Sequence, residues 1–230
     1  MKMDDLTIRI IETKADMIRD NDAEAALLRK SLSDGPLFVN LMASPGAGKT
    51  TLLCRTVREL GPEWHVGIIE ADVDSDVDAR AVQKAGAAAV QLHTGGSCHM
   101  DAGMTRAGLE GLSLSGLDIV FLENIGNLVC PAEFDTGADV KAVMLSLPEG
   151  DDKPLKYPLM FQVADCLLVS KLDTAPVFDF DMEKLRANVD ALNPGLPLMP
   201  LSAVTGEGFE AWLTWLKDRA KQKKDGLLQA

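Results

Sequence analysis

Seven short apolar runs punctuate the chain, at residues 37–42, 65–70, 88–92, 118–123, 140–147, 166–170 and 196–201. They are continuous rather than alternating, the pattern of strands buried on both faces of a parallel sheet. Helical periodicity fills most of the gaps between them, at 50–60, 75–85, 99–109, 154–163 and 181–192. A last amphipathic helix is predicted over 208–224, with Phe209, Trp212, Leu213 and Leu216 on its inner face. A further helix is expected at about 13–33, with Ile18, Ala23, Ala26, Leu27 and Leu28 on one rough face and Ser33-Asp34-Gly35-Pro36 as its stop. The pattern predicts an α/β fold: three layers, with a mostly parallel sheet of about seven strands covered by helices. Residues 1–35 form a helical lead-in, expected to be an appendage, and 36–230 one domain.

Ligands of such sheets bind beyond the C-terminal ends of the strands, so the residues just after each apolar run carry the functional signal. The first run ends in LMASPGAGKTTLL, Leu41 to Leu53. Strand, glycine-rich turn and helix in that order make a phosphate cradle: loop N–H groups converge on the anion and the helix adds its positive end. Gly46, Ala47, Gly48, Lys49, Thr50 and Thr51 are the predicted phosphate contacts, with Lys49 reaching the outer phosphates and Thr50 holding Mg²⁺. Ala43 stands where the usual pattern has its first glycine, which a small residue at negative φ tolerates.

The second run leads into DVDSDVD, Asp72 to Asp78. A calcium loop is excluded, because its sixth position is Val77 where glycine is required and its twelfth is Gln83 where glutamate is required. Capping of the next helix by Ser75 or Asp76 is one reading. The other places Asp72 or Asp78 beside Mg²⁺, and it is preferred for at least one of them. The third run leads into HTGGSCHMD and the fourth into ENIGNLVCP. Cys98, His99 and Cys130 then meet at the same edge, a donor set that suits Zn²⁺ or Ni²⁺. A predicted helix start beside Cys98 is expected to lower its thiol pKa. Cys54 and Cys166 read as core thiols, and His65 and His93 as structural. The sixth run ends in SKLD, Ser170 to Asp173, and the seventh in Ser202-Ala203. Lys171, Asp173, Ser202 and Ala203 would flank a nucleotide base. Asp173 matches the donors of guanine, and a buried carboxylate facing adenine would be left unpaired.

The 230 residues are 47% hydrophobic, enough for one well-filled domain, and the net charge of −12 argues against nucleic acid or an anionic membrane as the main partner. MKMDDLTIRI has no leader-like apolar segment, and no run approaches a membrane span, so a cytoplasmic protein with reduced thiols is expected.

Taken together and in order, ASPGAGKTTLL, IIEAD, TGGSCHMDAGM, ENIGNLVCPAEFD, EGDDKPLKYP, SKLD and LSAVTGEG resemble the HypB family of hydrogenase nickel-incorporation GTPases over roughly residues 36–217. The resemblance implies a GTP-hydrolysing metallochaperone of the P-loop class that includes signal-recognition and nitrogenase-type proteins. It implies a homodimer favoured by GTP, with a HypA-type nickel chaperone and the hydrogenase large subunit as partners. Lys49 and Thr50 match the family's phosphate and Mg²⁺ residues, and Glu123 and Gly126 match the switch after the fourth strand. Asp173 matches the base reader, and Cys98, His99 and Cys130 the metal ligands of the GTPase domain. Catalysis would then rest on Lys49, Glu123 and Asp78, and Mg²⁺ on Thr50, Asp72, Asp78 and Glu123. Ser170 departs from the family's asparagine. The chain also shows neither the His-rich tract nor the N-terminal Cys motif of some members, so metal handling is expected at the Cys/His site.

Three other readings are weighed. A urease-type nickel-delivery GTPase would carry Cys-Pro-His as one contiguous motif, whereas here Cys98-His99 and Cys130-Pro131 are split. A GTP-gated binding switch would hold only a structural zinc. A nucleotide kinase is disfavoured, since SKLD reads guanine and no lid is visible.

Overall fold

A computed structural model describes residues 13–72 and 76–228. The first ten residues and Ser75, about which the sequence made specific suggestions, lie outside the described residues. Seven strands form one sheet in the order β3-β2-β4-β1-β5-β6-β7: β1 Leu37–Ala43, β2 Val66–Asp72, β3 Ala88–His93, β4 Ile119–Glu123, β5 Val140–Ser146, β6 Cys166–Ser170 and β7 Leu198–Pro200. Every pairing is parallel, so the sheet is wholly rather than mostly so.

The helices are α1 Thr13–Ser31, α2 Lys49–Leu60, α3 Val77–Ala85, α4 Ala102–Glu110, α5 Cys130–Glu133, α6 Lys153–Lys156, α7 Pro158–Gln162, α8 Met182–Asp190 and α9 Phe209–Lys224. Strand alternation sorts them into layers. Leu37, Val39, Leu41 and Ala43 of β1 face α2, α3 and α9, packing with Leu53, Val57, Val82, Trp212 and Leu216. On the other face Phe38 meets Leu28 of α1, Leu32 just past its end, and Leu109 of α4. Met42 is buried there with Phe161 of α7 and Leu185 and Val189 of α8. Trp212, fully buried, donates its indole N–H to Thr56 of α2 at 3.0 Å. That bond satisfies the one polar atom of the largest side chain in this layer.

Three expected helices are corrected. The predicted 154–163 helix breaks at Tyr157, which sits at φ −131, ψ 57. Pro158 follows, and a residue before proline is pushed out of the helical region. The helix expected from residue 99 begins only at Ala102, where Asp101 caps it by accepting from the Met104 N–H at 2.7 Å. Likewise α3 starts at Val77 rather than 75. Among the described residues no helix is long and apolar enough to cross a membrane.

Candidate functional site

The C-terminal ends of β1, β2 and β4 open onto a cleft of about 600 Å³ lined by the glycine-rich loop, Lys49, Thr50, Thr51, Glu70, Asp72, Asp78, Glu123 and Gly126. The loop turns through two glycines in the left-handed region, Gly46 at φ 74 and Gly48 at φ 102, and Gly48 leads directly into α2. Gly126 lies flat against the loop, since a Cβ there would come within 2.8 Å of the Pro45 Cα. The segment after β4 is therefore in van der Waals contact with the phosphate cradle.

Beneath the loop sit two carboxyls in direct register, Glu70 of β2 and Glu123 of β4. The Thr50 hydroxyl donates to Glu123 Oε1 at 2.9 Å. Burial, with the neighbouring Glu123 charge, pushes Glu70 up to about 10. Burial also raises Glu123, against the pull of the Lys49 ammonium. One oxygen of each, Glu70 Oε1 and Glu123 Oε2, is buried without a hydrogen-bond partner among the described residues. Two buried carboxyls, a threonine hydroxyl and the adjacent Asp72 and Asp78 are an all-oxygen donor set suited to a hard divalent cation such as Mg²⁺. Glu70 was absent from the residues singled out by sequence. The signal was available, because it is an acid inside the apolar run IIEAD of a strand buried on both faces.

The residues expected to flank a base fall beside the glycine-rich loop. Ser170, fully enclosed at the end of β6, donates its hydroxyl to the Ala47 carbonyl at 2.9 Å. Lys171 takes φ 60 and donates its ammonium to the Gly46 carbonyl at 2.7 Å. Ser202 donates to Asp173 Oδ1 at 2.5 Å while accepting from the N–H groups of Val204 and Thr205. Ala203 offers its carbonyl to Arg55 of α2. Asp173 itself is exposed, not buried.

Cys98, His99 and Cys130 converge, with one ligand atom of each within 4.8 Å of the others. The Cys98 and Cys130 sulfurs are 3.0 Å apart, and Cys98 Sγ lies 3.7 Å from His99 Nδ1. The His99 ring stacks on Phe134 at 3.8 Å and 19°. Burial lowers the imidazole pKa, which keeps the ring neutral and able to ligate. The expectation of a lowered Cys98 thiol pKa is not met: the hydrogen bond to Cys130 raises it. The helix start that was to lower it lies at Ala102, too far on to act. The thiols of Cys54 and Cys166 are raised chiefly by burial, consistent with core residues.

Two asparagines that sequence reasoning missed join these sites. Asn124 follows Glu123 and is almost fully buried. Its Oδ1 accepts from the N–H groups of Ile125 at 2.8 Å and Met100 at 3.3 Å, and its Nδ2 donates to Asn40 Oδ1 in the middle of β1 at 3.0 Å. Asn127 donates its amide to the Cys98 carbonyl at 3.2 Å and its backbone N–H to the Ala43 carbonyl at 2.9 Å. The stretch from Glu123 to Cys130 thus touches the phosphate loop on one side and the Cys98-His99 loop on the other.

Known proteins resemble this chain over most of its length. Residues 37–200 match the family model for the CobW/HypB/UreG nucleotide-binding domain. The hydrogenase maturation factor HypB of Rhizobium leguminosarum bv. viciae is 43% identical over 216 residues, covering 94% of this chain and 72% of that one. The crystal structure of HypB from Helicobacter pylori in complex with nickel superposes with a TM-score of 0.84 at 34% identity, over 92% of this chain and 98% of the other. HypB from Archaeoglobus fulgidus gives 0.81 at 36%, over 88% and 99%.

Proposed function

The chain belongs to the HypB hydrogenase maturation factors of the CobW/HypB/UreG nucleotide-binding family, and from that membership we propose that it is a GTP-hydrolysing nickel carrier whose nucleotide state sets its hold on the metal. The observation that carries this reading is the stretch from Glu123 to Cys130. One end lies in the phosphate cleft and the other in the Cys/His trio, with Asn124 and Asn127 bonded to the opposite loop on the way. A γ-phosphate that displaces Glu123 or Gly126 moves Cys130 relative to Cys98 and His99. The H. pylori relative in complex with nickel supports nickel as the cargo.

In this mechanism the loop N–H groups and Lys49 hold the phosphates and offset the charge that builds on the transferring phosphoryl group. Thr50 and Glu123, with Asp72 or Asp78, would hold Mg²⁺, which supplies further charge neutralisation when bound. Glu70 meets Glu123 at the floor of that site, and burial favours its protonated form. Glu123 and Asp78 would orient the attacking water. Asp173 accepts from guanine, and the base covers the carboxylate that is otherwise exposed. Ser202 fixes the rotamer of Asp173, and Lys171, bonded to the Gly46 carbonyl, would run along the sugar.

The trio offers three soft ligands, one short of a closed tetrahedron. Water or a donor from a second copy completes it and can leave, as a carrier requires. A cytoplasmic homodimer favoured by GTP follows, handing nickel between a HypA-type chaperone and the hydrogenase large subunit. The split Cys-His and Cys-Pro motifs favour this over urease-type delivery. A switch with a structural zinc would hold metal equally in both nucleotide states. The test is titration of nickel and zinc into protein loaded with GDP or with a non-hydrolysable GTP analogue. Affinities that differ between the states support the reading, and linkage then demands the same factor on nucleotide affinity. Identical affinities would sink the coupling.

A further inference from the structure

Helix α1 contains no His and no Cys, yet its polar side chains reach the two segments that carry the thiols. Asn21 is buried, at 9% exposure. Its Oδ1 accepts from the N–H of Ala102 at 2.9 Å, three residues past His99. Its Nδ2 donates to the carbonyl of Asp135 at 2.9 Å, five residues past Cys130. Both ends of one amide are thus used, each on a different metal-bearing segment.

The rest of the helix reinforces the second contact. Arg29 donates through Nη2 to both carboxylate oxygens of Asp135, at 2.8 and 2.7 Å, and through Nε to the Ala138 carbonyl at 3.1 Å. Burial alone would raise the Asp135 carboxyl, but the bonds from Arg29 and the Gly137 N–H hold it below its ordinary value. The residue ahead of Asp135 is Phe134, whose ring carries the imidazole of His99. Fixing Asp135 therefore fixes the surface on which the His99 ligand lies.

We infer that Asn21 is a positioning residue for the Cys98/His99/Cys130 site, and that α1 acts as the brace setting the span between its two halves. The inference rests on the reading of that trio as the nickel site. Two loops anchored to one helix have a set resting separation between their ligands, about which the nucleotide state moves Cys130. Freed from it, they must be ordered by the metal itself, at a cost to affinity.

The experiment is nickel titration of Asn21→Ala and Asn21→Asp, followed by the nickel–thiolate charge-transfer absorption, with binding of a fluorescent non-hydrolysable GTP analogue measured in parallel. Asn21→Asp keeps the acceptor for Ala102 and the residue's volume but cannot donate to Asp135, so it carries the test should the alanine variant fail to fold. Both variants are expected to bind nickel about 10-fold more weakly with an altered charge-transfer band, and to bind nucleotide as the parent does. Arg106→Ala removes only the surface ion pair with Glu24 between the same two helices. It should leave nickel binding unchanged. A parental nickel affinity and spectrum in Asn21→Asp overturns the inference, and so does an equal loss of nickel and nucleotide binding. Cys130→Ala keeps the two readings apart: if it too retains nickel, the site reading itself has failed.

Discussion

Where strands begin, three aspartates stand one residue ahead of a strand: Asp118 before β4, Asp139 before β5 and Asp165 before β6. Each accepts the first free N–H of a neighbouring segment, from His65 at 2.9 Å, Phe38 at 2.8 Å and Lys141 at 2.7 Å respectively. The end of α9 then supplies cations. Lys223 meets both oxygens of Asp139 at 2.5 and 2.6 Å, and Lys224 meets Asp118 at 2.7 Å. Burial would raise Asp118, but the His65 N–H and Lys224 hold it below its ordinary value. Where strands end, the acids are treated in the opposite way. Glu70 and Glu123 face each other with an orphaned oxygen apiece, and burial drives both upward. The same residue chemistry stabilises the fold at one edge of the sheet and leaves buried carboxyls with raised pKa values at the other.

The sharpest way to break this contrast is at the satisfied edge. Lys223 and Asp139 are only 5% and 7% exposed. Lys223→Ala leaves Asp139 buried and uncompensated and is expected to cost about 3–5 kcal/mol by denaturant unfolding, with nucleotide affinity of the folded protein unchanged. A loss below about 1 kcal/mol would make it an ordinary surface pair. At the other edge, Lys49→Ala should slow GTP hydrolysis by about 10²- to 10³-fold with unfolding midpoints kept. Hydrolysis at the parental rate in a folded variant removes Lys49 from the chemistry.

A smaller effect separates the edges by pH. The folded-state pKa of Glu70 is raised from 4.5 to about 10. Its contribution is therefore fully present below the ordinary value, and stability falls as pH rises from 4.5 towards about 10, because only the unfolded chain releases that proton. Glu70→Gln should remove this slope and stabilise the metal-free protein at pH 8 by on the order of 1–3 kcal/mol. Thermal unfolding across pH 5 to 9 reads it, and a parental slope in the variant would assign the effect elsewhere. Smallest is Asp173→Asn, expected to weaken GTP by about 10-fold and to favour xanthosine triphosphate, since an amide donates where the carboxylate accepts. Unchanged GTP affinity in competition binding would show that Asp173 does not touch the base.

The sheet was legible because its strands are short unbroken apolar runs, and all seven fall within two residues of their expected bounds. Chain direction was also legible, since parallel strands put the loops of the cleft and of the Cys/His cluster after a run. What sequence could not give was contact across loops. Asn21, Asn124 and Asn127 are unremarkable by composition, and only their amides' partners, far away in the chain, give them meaning. The helix break at Tyr157 was readable from Pro158 and was overridden by the apolar periodicity around it. The raised Cys98 thiol depends on a sulfur 32 residues away, which no local pattern reports.

The order of strands has a consequence for how the protein is made. β1 lies at the centre of the sheet, and its partners are β4 and β5, with Leu37 beside Ile119 and Val39 beside Val140. At translation rates of about 5–20 residues per second, LFVNLMA waits on the order of 4–16 s for its first neighbour to be synthesised. β2 and β3 can pair meanwhile, but the phosphate cradle has no wall until β4 emerges. Nucleotide cannot template the early folding of this chain, and the exposed central strand is the segment a ribosome-bound chaperone has most reason to cover.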